Sequence, residues 1–129
     1  MSHVFIVRDP ADTVAHAGPI NWAISQLREA LVAKGVACDE SAGRGSLHVV
    51  LATPAAAAAR EMLDTALVTL PQAAEALAVV PGKHDAEPAV LACGADVRGL
   101  VYAIMELVHR VACDPRARPM SCIMQIRWP

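Results

Sequence analysis

Residues 89–112 pass from a strand pattern to a helix pattern almost without a connection. Ala89-Val90-Leu91-Ala92-Cys93 is an apolar run, Gly94 interrupts it, and Asp96 precedes a periodic segment. In that segment Val97, Leu100, Val101, Ile104, Leu107, Val108 and Val111 fall on one helical face. Asp96 is a good N-cap, because its carboxylate can accept the amide protons that a helix start leaves without partners. Gly99 carries no side chain, so the first turn can press close to a neighbouring backbone. A buried strand that leads straight into a one-sided helix needs a sheet for that helix to lie on, which restricts the chain to layered α/β architectures.

The remaining pattern agrees. His3–Arg8 reads as a first strand, broken by Asp9-Pro10, with a loop running through Ala17. Pro19, then Ile20, Ile24, Leu27 and Leu31 at helical spacing, with Gly35 after Lys34, predict a helix. A short strand is expected over 36–40, a turn at Ser41-Ala42-Gly43-Arg44-Gly45-Ser46, and an apolar strand over Leu47–Ala52. Residues 54–67 favour helix through their alanines but lack a strong apolar stripe. Residues 76–80 read as a strand closed by Pro81-Gly82, and 83–87 as a polar turn. Residues 89–93 then form the hairpin partner, and the second strong helix covers 97–112. Residues 114–119 read as a linker and 120–127 as a final extended segment. The expected fold is α/β (α+β): a mixed sheet with two main helices packed on one face. Residues 1–118 form a single domain in this reading, with 119–129 a linker or the start of a following segment.

At 129 residues the chain has the length of one domain and can bury one core. A net charge of -2 offers no basic footprint for nucleic acid, and an aromatic content of 3% provides few stacking platforms. The apolar runs are too short to span a bilayer, so no membrane partner is expected. The opening Met1-Ser2-His3-Val4-Phe5 reads as the start of a strand, not as a secretory signal, and implies a cytoplasmic protein. Cys38, Cys93, Cys113 and Cys122 include no C-x-x-C pair and read as buried reduced thiols.

The run Gly94-Ala95-Asp96-Val97-Arg98-Gly99-Leu100-Val101-Tyr102-Ala103 resembles the strand-to-helix signature of a small α/β domain. This is the domain that precedes the catalytic barrel in α-glucuronidases and β-N-acetylhexosaminidases, where the pattern reads roughly G-x-D-x-R-G-x-x-Y-G. Ala103 replaces the last glycine, a mild change because alanine is small and favours helix. Pro71-Gln72-Ala73-Ala74-Glu75-Ala76-Leu77-Ala78-Val79 is similar to the family's strand p-x-x-x-E-x-(f/y)-x-I, with Leu77 where an aromatic is common. The resemblance implies a mixed sheet with helices on one side. It also implies a non-catalytic N-terminal accessory role, with a catalytic barrel of the same polypeptide as partner. Gly94, Asp96, Arg98, Gly99 and Tyr102 are its motif residues, and their role in the family is structural.

Other residues carry less chemistry. A retaining glycosidase needs two carboxyl groups about 5 Å apart and an inverting one about 6.5–9.5 Å; nothing in the sequence brings Glu75, Asp96 or Glu106 together in that way. Asp96 reads as a cap and Glu106 as a solvated charge. His84, Asp85 and Glu87 read as a solvated turn, with no metal site and no cofactor expected. Gly43-Arg44-Gly45-Ser46 resembles half of a phosphate loop but lacks the Lys-Ser/Thr ending and precedes a strand, so it reads as a tight turn. No G-x-S-x-G elbow is present. Arg98 is expected in a structural ion pair with Asp96 or the linker, with contact to a following domain as the other reading. Trp22 falls near the face opposite the apolar stripe of its helix. Trp22 and Trp128 are candidate interface residues, although the loop before Trp22 folding over it is an equal reading. A different class of function stays open beside the accessory role: a free-standing domain that binds a small ligand or self-associates as a homo-oligomer.

Overall fold

A computed structural model describes residues 3–40 and 47–113. The turn at 41–46 with its Gly43-Arg44-Gly45-Ser46, the linker, the segment over 120–127, Cys122 and Trp128 lie outside the described residues.

The elements are β1 (His3–Arg8), a 3₁₀ turn (Val14–His16), α1 (Gly18–Ala33), β2 (Ala37–Asp39), β3 (Leu47–Ala52), α2 (Ala57–Ala66), β4 (Leu77–His84), β5 (Glu87–Gly94) and α3 (Val97–Ala112). The strands form one sheet in the order β2-β1-β3-β5-β4. β1 runs parallel to β2 and β3, β3 runs parallel to β5, and β4 joins β5 as an antiparallel hairpin. The sheet is therefore mixed, as the hairpin pattern predicts.

α1 and α3 pack side by side on one face. Ile20, Ile24, Leu27 and Leu31 of α1 meet Leu100, Ile104, Leu107 and Val111 of α3 over Val4, Ile6, Val49, Leu51, Val79 and Val90 of the sheet. Burying a side chain of this size contributes about 1.5–3 kcal/mol, which makes this layer the main source of stability. α2 covers the opposite face through Ala59, Met62 and Leu63, against Val50, Ala52, Ala78, Val80, Leu91 and Cys93. A one-sided arrangement of helices thus describes α1 and α3 but not α2. The reason lies in β3, which is buried at all six positions. A central parallel strand that is apolar on both faces requires cover on both.

The hairpin departs from the sequence reading. β4 does not stop at Pro81-Gly82 but continues to His84. β4 ends the sheet, and an edge strand tolerates a proline because the missing N–H need not enter a ladder. The expected turn over 83–87 shrinks to Asp85 and Ala86, with φ of 50° and 65°. Two consecutive residues in the left-handed region are the mark of a type I′ turn, whose twist matches that of the flanking strands. Among the described cysteines, Cys93 is buried and Cys38 half-buried, but Cys113, the residue that follows α3, is exposed.

Candidate functional site

The motif residues converge on the junction between β5 and α3. Asp96 caps α3: its Oδ1 accepts the Gly99 N–H at 2.8 Å. Its Oδ2 accepts the Glu75 N–H at 3.1 Å, from the segment that leads into β4. The Ala95 N–H adds a third tie, to the Ala76 carbonyl at 2.9 Å. The Gly99 and Glu75 amides, in that order, hold the Asp96 carboxyl below the ordinary aspartate range.

Both glycines are places where backbone meets backbone. A Cβ built on Gly94 would stand 2.1 Å from the Leu100 nitrogen, and one on Gly99 would stand 2.5 Å from the Ala76 carbonyl oxygen. The close approach expected at Gly99 is present, and Gly94 is tighter still. These contacts seat the first turn of α3 between the end of β5 and the start of β4. Glu75 adopts a φ of 63°, unusual for a residue with a side chain, and its N–H is thereby fixed on Asp96.

Arg98 does form an ion pair, but with Glu75: Nη1 donates to Oε1 at 2.7 Å. The sequence reading named Asp96 or the linker instead. The capping bonds already engage both oxygens of Asp96, so the guanidinium turns to the neighbouring segment. The pair is solvent-exposed, and its attraction is correspondingly weak. Glu106 pairs with Arg110 one turn along α3 at 2.9 Å. Asp96, Glu75 and Glu106 are thus each engaged, and the junction works as a structural clasp.

Trp22 and Tyr102 stand on the outer surfaces of α1 and α3, 53% and 48% exposed. No preceding loop covers Trp22. Where the first turns of the two helices meet, Pro19, Val97, Arg98 and Val101 line an open depression of about 580 Å³. A second crevice of about 740 Å³ opens beyond the C-terminal ends of β3 and β5, lined by Thr53, Arg60, Leu70, Gln72, Ala95 and Asp96.

Beside it, sequence reasoning missed Asp12. Its Oδ1 accepts the Ala15 N–H at 3.2 Å, and its Oδ2 accepts both the Thr53 N–H at 2.8 Å and the Thr53 hydroxyl at 3.0 Å. One buried carboxylate thereby joins the loops that follow β1 and β3. An aspartate two residues ahead of a short helical turn, three before the amide it accepts from, is a local signal for the first bond. The bond to Thr53 spans 41 positions and has no local signal. Among the described residues, no group of three or more metal-ligating side chains is assembled, and no helix is long and apolar enough to cross a membrane. The chain matches no protein-family model, and no curated protein is significantly similar to it.

Proposed function

We propose that this chain is a non-catalytic accessory domain of a carbohydrate-active enzyme, built to pack against a catalytic barrel of the same polypeptide. The observation that carries the reading is the work done by the motif. Gly94, Asp96 and Gly99, the residues shared with the domain that precedes the barrel in α-glucuronidases and hexosaminidases, all serve to dock α3. Asp96 and Glu75 at the junction are engaged in a helix cap and an exposed ion pair, which supports a structural role for the motif. The exposed rings of Trp22 and Tyr102, on the outer surfaces of α1 and α3, are of the kind that domains bury against one another.

The gene tests this directly. A reading frame that continues past the Pro129 codon into about 250 residues of alternating strands and helices supports the proposal. A frame that ends there overturns it. Glycoside turnover by the pure chain, lost when one of its own carboxylates is replaced, overturns the non-catalytic part. A second reading, a free-standing ligand-binding domain, draws on the crevice beyond β3 and β5, since ligands of α/β sheets gather at the C-terminal ends of parallel strands. A small-molecule screen by NMR with shifts confined to Thr53, Arg60 and Gln72 favours that reading over the first.

A further inference from the structure

On the α2 side of the sheet, beyond the reach of α2 itself, two histidines 36 positions apart meet. His48 Nδ1 lies 3.0 Å from His84 Nδ1. His48 sits in the central strand, 5% exposed, with the edge of its ring arrangement set by Phe5: the two rings stand 5.0 Å apart at 88°. His84 ends β4, directly before the type I′ turn. The Asp85 carboxylate stands 3.8 Å from that same His84 nitrogen, too far for a hydrogen bond. Its side chain is 82% exposed and free to swing about its two torsions.

We propose that His48 and His84 chelate a single late first-row divalent metal ion through their Nδ1 atoms, with Asp85 completing the protein's share of the ligands. Imidazole–metal bonds run about 2.0–2.1 Å, so two nitrogens 3.0 Å apart subtend about 90° at a shared ion. That angle is the cis angle of a tetragonal centre and favours Cu²⁺ or Ni²⁺ over a tetrahedral ion. Two donors on opposite sides of one ion lie about 4 Å apart at these bond lengths, and the Asp85 oxygen is already at a comparable distance from His84.

Without metal, one Nδ1–H donates to the other Nδ1. With metal, that proton moves to Nε2 of its own ring through solvent, and both Nδ1 lone pairs bind. No proton is released by the neutral pair. Burial, and after it the neighbouring His84, push the His48 imidazole below its ordinary pKa, while Glu87 and Asp85 act in the opposite sense. Neutral imidazole is the form that ligates.

The test is a Cu²⁺ titration of the chain, free of any affinity tag and carrying His3→Gln so that the amino-terminal Met1-Ser2-His3 cannot chelate the ion, followed by calorimetry and by electron paramagnetic resonance. One saturable site with nitrogen hyperfine structure is expected, weakened by more than about tenfold in His84→Gln, since even an outer-sphere partner is worth that much. Equal affinity with and without His84→Gln overturns the proposal, as does the lack of a saturable site. A Zn²⁺ titration read by imidazole nitrogen shifts needs no variant: His48 and His84 Nδ1 should move together. Movement confined to His109, which lies 3.7 Å from the exposed Cys113 sulfur, assigns the ion elsewhere and also overturns the proposal.

Discussion

A methyl group on Gly99 would stand 2.5 Å from the carbonyl oxygen of Ala76, a separation that real Cβ atoms do not adopt. The helix and the approach to β4 are in contact through their main chains, and neither can yield without breaking the Asp96 clasp. Gly99→Val is therefore expected to destabilise the fold more than Ala103→Gly. Overpacking costs about 1–3 kcal/mol or more, and a glycine in a helix interior costs about 1 kcal/mol. Urea melts of both variants measure the difference. A smaller loss for Gly99→Val refutes the close contact.

Asp96 links this clasp to pH. Its carboxyl is held below the ordinary range in the fold by the Gly99 and Glu75 amides. A group with a depressed folded pKa contributes stability that is complete above the unfolded value, near 3.9, and fades as pH falls toward the folded one. The stability difference between wild type and Asp96→Ala should therefore be largest from about pH 5 to neutrality and should narrow below about pH 4. Denaturant midpoints taken across that range provide the check. A difference that stays constant down to pH 2.5 would rule out the charged cap.

The β4–β5 turn invites a stabilising change. Ala86 holds a φ of 65°, where a side chain crowds the backbone by roughly 1–2 kcal/mol. Ala86→Gly removes that cost but adds freedom to the unfolded chain, so a net gain of about 0.5–1 kcal/mol is expected. Thermal unfolding should show a higher midpoint for the variant.

Thiol reactivity should separate the cysteines. Burial, with a lesser push from Asp12, raises the Cys93 thiol to about 12. Burial also raises Cys38, against the opposing pull of Arg28. Only thiolate reacts at an appreciable rate, so native protein at neutral pH should be alkylated at exposed Cys113 well before Cys93. Peptide mapping after a brief exposure reads the order. Early labelling of Cys93 would show that the β5 core opens readily.

What the sequence made legible follows from range. The bounds of α3 and the body of α1 are written in local code: the Asp96 cap, Pro19 at an entry, Gly35 at an exit, and stripes of period 3.6. β4 was obscured because Pro81-Gly82 is a breaker in most settings, and only the edge position admits it. Arg98 was recognised as an ion-pair residue, but its partner Glu75 lies 23 positions away. The His48–His84 contact spans 36. Contacts of that kind belong to strand order, which no local pattern specifies.

Strand order also determines how another protein can approach. Among the described residues the sheet ends on β2, three residues long, and on β4, which carries Pro81 and Lys83. A short strand offers few free backbone groups, and proline and lysine interrupt any that a longer one would offer. Neither margin is a good template for an added strand. Among the described residues, both margins of the sheet thus discourage edge-to-edge pairing with another strand.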